Sequence, residues 1–146
     1  SESAQWVEAI AGLAGVPWLV LDKVRHGDRE VSIQAPASFP PGRRPVIVDD
    51  IASSGRTLLA AIAALAAVGA PAPVCAVTHA IFADDACARL LAAGAQRVVS
   101  TDTIAHASNA IGVGALVAAA ADELFAADEP GEENAQAWFD DGEPAP

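Results

Sequence analysis

From Trp6 to Leu124 the chain switches between two periods: short apolar runs, and longer segments in which leucine, isoleucine, valine and alanine return every three to four positions. The first reads as buried strand and the second as helix with one face turned inward. This spacing predicts a helix over Ser3 to Ala14, strands over Pro17 to Asp22, Glu30 to Gln34 and Pro45 to Asp50, and a helix over Thr57 to Val68. It then predicts a strand over Pro73 to Thr78, a helix over Asp84 to Ala93, a short strand over Arg97 to Ser100 and a closing helix over Val113 to Leu124. Pro36, Pro40 and Pro41 mark Ala35 to Arg44 as a surface loop. Recurring βα units of these lengths belong to an α/β fold with a parallel sheet carrying helices on both faces.

One junction in this pattern carries chemistry. The apolar run Val46-Ile47-Val48 ends in Asp49 and Asp50, and Ser53-Ser54-Gly55-Arg56-Thr57 follows at the start of the next helix. Hydroxyls and backbone amides at a helix N-terminus attract phosphate. Two carboxylates just ahead of such a cradle would repel the phosphate itself, but they accept hydrogen bonds from sugar hydroxyls or hold a hydrated magnesium ion. A ribose with its phosphate one turn away satisfies both halves. A Walker loop is excluded because no Gly-Lys-Ser/Thr follows the glycine, and Gly112-Val113-Gly114 lacks the third glycine of a dinucleotide fingerprint.

These thirteen residues, Val46 to Leu58, resemble the phosphoribosyl-diphosphate (PRPP) binding motif of type I phosphoribosyltransferases and of ribose-phosphate pyrophosphokinases, the PRPP synthetases. The usual motif is a hydrophobic strand, two acids, two variable residues and Asp-Thr-Gly-Gly-Thr. Here Arg56 replaces a glycine and adds positive charge to the loop, while Ser53 replaces a carboxylate often given a general-base role, which is therefore not carried over.

Further segments are similar to the carboxy-terminal half of the synthetases, from about Trp6 to Leu124. Lys23-Val24-Arg25, with Arg29 beyond it, resembles the Lys-x-Arg that opens their catalytic loop, where cations stabilise the migrating diphosphoryl group. Ala76-Val77-Thr78-His79 and Ser100-Thr101-Asp102-Thr103-Ile104 resemble two strands ending on polar residues, at the sheet edge where open α/β folds bind ligands. His79 and Thr101 to Thr103 are thus rim candidates. His106 reads as a structural histidine, and His26 has no second ligand at transition-metal spacing.

Composition narrows the class. At 146 residues, 53% hydrophobic and with mean hydropathy +0.34, the chain has enough apolar material for one core, placed at 1–125. The alanine-rich runs Leu58 to Val68 and Gly114 to Ala121 are too short and too interrupted to span a membrane, and the start lacks the basic region of a cleavable signal. Cys75 and Cys87 lie outside any Cys-x-x-Cys spacing and read as reduced core thiols of a cytoplasmic protein. The net charge of −11 is concentrated: residues 126–146 hold seven acids and no base, and without them 12 acids face 8 bases, a balance of −4. With few cations and no basic stripe, nucleic acid is not an expected partner. The Pro/Gly/Glu-rich tail, with its one apolar patch Ala135 to Phe139, is expected to be flexible.

What the resemblance implies is a type I phosphoribosyltransferase-like fold and the ribose-5-phosphate half of a synthetase, making PRPP and AMP from ATP and ribose 5-phosphate with Mg2+. By the same resemblance Ser53, Ser54, Gly55, Arg56 and Thr57 hold the 5-phosphate and Asp49 the ribose hydroxyls. Asp50 supports Asp49 or the magnesium, and Lys23 and Arg25 are catalytic. The chain begins at Ser1 inside the family's second half, so it is expected to be a fragment, served by a companion amino-terminal domain or by other subunits of a homo-oligomer. Two alternatives share the cradle: a phosphoribosyltransferase consuming PRPP and a base, and a non-catalytic sugar-phosphate-binding or regulatory subunit.

Overall fold

The computed structural model describes residues 2–26, 30–34 and 37–127. In chain order it holds α1 (Glu2–Ala14), β1 (Asp22–His26), β2 (Glu30–Gln34), β3 (Val46–Ala52), α2 (Arg56–Ala67) and β4 (Val74–Ala80), then α3 (Ala86–Ala92), β5 (Arg97–Thr101), β6 (Asn109–Ile111) and α4 (Gly114–Ala127). Two compact units divide between Gly112 and Val113.

In the first unit β3, β4, β5 and β6 form a parallel sheet whose spatial order is their chain order. Ile47 pairs with Cys75 and Asp49 with Val77, and Cys75 and Val77 pair in turn with Val98 and Ser100. These last four residues are buried, and between them Ala76 and Val99 are half-exposed. This is the period-2 signature of a strand with one well-covered face. The cover is α2 and α3. Leu58, Ala61, Ile62 and Leu65 fall at helical spacing on the inner side of α2, and Ala86 and Leu90 do the same on α3. Leu58, Ile62 and Leu90 join Ala52, Cys75, Val77 and Val98 in one cluster. Each large aliphatic side chain buried in that cluster contributes roughly 1.5–3 kcal/mol. The parallel α/β architecture is the one expected from the sequence.

Two elements differ from expectation. The strand expected at Pro17 to Asp22 begins only at Asp22, where it pairs with β2 as an antiparallel hairpin of its own, His26 opposite Glu30. Pro17 has no N–H to give a ladder, and among the described residues no strand runs beside 17–21 to hold it; Trp18 and Leu19 stay exposed. The opposite happened at β6, which the sequence did not suggest. Its three residues are held by the Asn109 amide, which donates to Ser100 Oγ (3.0 Å), Thr101 O (2.6 Å) and Ile104 O (3.1 Å). Ser100, fully buried, also pairs its hydroxyl with Ser108 at 2.7 Å.

The second unit contains α4, which runs past the expected Leu124 to Ala127. Leu116, Val117, Leu124 and Phe125 on it are 61–73% exposed. The rest of the acidic segment, from Asp128, lies outside the described residues. No helix among them is long and apolar enough to cross a membrane.

Both cysteines are free thiols. Burial, and then the neighbouring Cys87, push the Cys75 thiol up to about 11, and burial also raises Cys87. The thiol form of Cys75 is the one the fold favours. Its contribution to stability is complete below the unfolded value of 9.0 and is lost as the pH climbs from there to about 11. At neutral pH a thiol-specific reagent should label half-buried Cys87 first and reach Cys75 only on unfolding; mass spectrometry of peptides from the folded chain checks this.

Candidate functional site

The ladder of β3 ends at Ala52, and Arg56 is already helical, so Ser53 to Gly55 must turn the chain in three residues. Gly55 makes the turn. It is buried and left-handed, φ 70° and ψ 7°, a conformation that costs a residue with a Cβ roughly 1 kcal/mol or more. Its carbonyl accepts the first helical bond from Leu59 N–H at 2.8 Å, which makes it the N-cap of α2, and no side chain caps the helix. The partial positive charge of the helix end faces an open depression of about 150 Å3, lined by Asp49 and by the run from Ile51 to Leu58. Ser53, Ser54 and Arg56 are exposed around it and Thr57 is half-exposed. All five residues expected to cradle a phosphate therefore meet here.

The two carboxylates part company. Successive strand residues point to opposite faces, so Asp49 lines the depression and Asp50 does not. Each is turned back on its own backbone: Asp49 Oδ1 accepts from Asp50 N–H at 3.2 Å and Asp50 Oδ1 from Ile51 N–H at 2.8 Å. Asp49 is half-exposed and Asp50 exposed. Both offer the hard oxygen ligands that magnesium takes, but two carboxylates leave most of an octahedral shell to water and substrate. No group of three or more potential ligands forms among the described residues.

The rim candidates come together at the same sheet edge. His79 is the register partner of Ile51, a lining residue. Thr101 and Thr103 both donate to the Thr78 carbonyl, at 2.6 and 3.1 Å, and His79 Nδ1 lies 2.9 Å from Thr103 Oγ1. His106 Nδ1 accepts from Ser108 N–H at 3.1 Å, and its ring packs on Phe82. Lys23 and Arg25 sit in β1, opposite Ile33 and Val31 and within a strand rather than in a loop, and β2 of that hairpin runs against α2. Arg29 lies outside the described residues.

Sequence reading missed Arg89. On α3, it bridges Asp85 at 3.3 Å and donates from Nη2 to the Ser54 carbonyl at 3.4 Å. The only signal was an acid four residues ahead of a base, which any exposed helix can carry.

A family model described as phosphoribosyl transferase domain matches residues 1–117. The chain belongs to that family. Among curated relatives, the ribose-phosphate pyrophosphokinase of Methanopyrus kandleri is 35% identical over 115 residues, 79% of this chain and 40% of the relative. Ribose-phosphate pyrophosphokinase 2 of Archaeoglobus fulgidus is 35% identical over 116 residues, 80% of this chain and 43% of the relative. The solved phosphoribosylpyrophosphate synthetase of Mycobacterium smegmatis superposes with a TM-score of 0.60 at 23% identity, covering 83% of this chain and 42% of that one, and shares the fold. The chain thus spans about two-fifths of the length of these family members.

Proposed function

We propose that this chain is the ribose-5-phosphate-binding half of a cytoplasmic ribose-phosphate pyrophosphokinase. The observation that carries the reading is the uncapped α2 N-terminus, opened by left-handed Gly55, with Asp49 beside it in one depression. The family and its pyrophosphokinase relatives support it. Amides and hydroxyls of Ser53, Ser54 and Thr57, with the Arg56 guanidinium, hold the 5-phosphate. Asp49 accepts hydrogen bonds from the ribose hydroxyls and so orients the sugar.

In the reaction the anomeric oxygen attacks the β-phosphorus of ATP, the bond from that phosphorus to the α-phosphate oxygen breaks, AMP leaves, and the hydroxyl proton goes to solvent. Lys23 and Arg25 meet the diphosphoryl group with positive charge, the main help such a transfer needs. Magnesium, when bound with the phosphates, neutralises charge on their oxygens. Asp49 would be the carboxylate that holds it on the depression side of β3, with Asp50 on the opposite face of the strand. ATP is brought by a companion amino-terminal domain or another subunit of a homo-oligomer, consistent with the share of the relatives this chain spans.

Calorimetric titration with ribose 5-phosphate and with PRPP, each with and without magnesium, tests the reading. Binding of ribose 5-phosphate is the expected result. PRPP bound alone would point to a phosphoribosyltransferase, and heat from neither ligand would overturn the cradle assignment.

A further inference from the structure

The turn between β3 and α2 is held from behind by the α3 region, residue by residue. Ser53 O accepts from Ala83 N–H at 3.2 Å, and Ser54 O accepts from Arg89 Nη2 at 3.4 Å. At Gly55 an added Cβ would meet Leu90 Cδ2 at 3.6 Å and Ala86 Cβ at 3.9 Å, so α3 lies only about a methyl group away from the backbone there. A trans peptide is planar, with its C=O and the next N–H pointing opposite ways. Pulling the Ser53 and Ser54 carbonyls toward α3 therefore turns the amides of Ser54 and Gly55 away from it. Both residues line the depression.

We infer that Arg89 is a positioning residue for anion binding: by anchoring the Ser54 carbonyl it aims the Gly55 amide into the phosphate cradle. Arg89 is suited to this task. Ala86, three residues before it, and Leu90, next to it in the chain, are fully buried and fix the helix, while the ion pair with Asp85 holds the guanidinium from its other edge. Both partners of the ion pair are exposed, so its own share of stability is small, and the work lies in the geometry it imposes. The inference rests on the cradle reading above.

An NMR titration of the full chain with inorganic phosphate, following the Ser54 and Gly55 amides, tests it. In the wild type both amide signals should shift on saturation; if neither does, the cradle reading itself falls. Given that shift, Arg89→Met should weaken phosphate about three- to tenfold, the range that the net contribution of one ordinary hydrogen bond spans. It should shrink the Gly55 amide response and leave the thermal midpoint near wild type. Arg89→Lys, which keeps one donor, should recover part of the affinity. An Arg89→Met chain that binds phosphate as tightly as wild type, or whose lost affinity comes with an unchanged Gly55 response, overturns the positioning role.

Discussion

Asp49→Asn should weaken ribose 5-phosphate roughly 10–100-fold, the range for losing one or two charge-assisted hydrogen bonds to hydroxyls. The same change should leave inorganic phosphate bound as tightly as before or more so, because it removes a negative charge from the wall of the depression. The opposite signs make the test specific. General damage to the cradle would weaken both ligands together, and an Asp49 with no part in sugar binding would leave ribose 5-phosphate untouched. Asp50→Asn is the internal control. Its carboxylate lies on the other side of the strand and outside the depression, and its affinity for the sugar should change by no more than about threefold, as for an exposed charge at a distance. Parallel calorimetric titrations of the three chains decide the matter. Equal losses for the two variants would mean that strand alternation does not separate their roles.

Gly55→Ala and Gly69→Ala should cost similar stability and differ sharply in binding. Both glycines are left-handed, at φ 70° and 73°, and an alanine there is strained by about 1 kcal/mol. Sterics add little at either: nothing lies within 4 Å of a Cβ on Gly69, and the contact on Gly55, 3.6 Å, is an ordinary one. Gly69 ends α2 far along the chain from the turn, where its N–H donates to Ala66 O. Gly55 instead sets the direction in which the helix-start amides face. A backbone that relaxes toward negative φ at position 55 moves those amides, so phosphate affinity should fall tenfold or more there, about 1.4 kcal/mol, and stay unchanged at position 69. Thermal unfolding and phosphate titration of both variants give the comparison. Retained affinity in Gly55→Ala would show that the left-handed turn is not what shapes the cradle.

How far the sequence carried this picture depended on how local each feature is. Helix α2 and strands β3, β4 and β5 announced themselves because their burial pattern is written within their own residues, and the cradle because all its parts lie between Asp49 and Thr57. Asp49 and Asp50 were visible as a pair, but their separation follows from strand alternation and needed the strand's placement to be read. Pro17 to Leu21 misled because an apolar run says that a segment can be a strand and not that a neighbour exists to pair with it. β6 and Arg89 escaped for the converse reason. Asn109 reaches back eight residues to Thr101, and Arg89 reaches back 35 to Ser54, distances over which periodicity carries no information.

Strand order following chain order has one more consequence. Each βα unit is laid down against a neighbour already made, so the sheet grows in one direction as the chain leaves the ribosome, β3 first. Ser53 to Thr57 therefore emerge well before Leu90 and Ala86, the residues against which Gly55 rests. On the proposed cradle, a nascent chain stopped between β4 and α3 has every residue assigned to the anion and lacks the helix behind it. Competence to hold a phosphate would then arrive with α3, and not with the motif that bears the ligands.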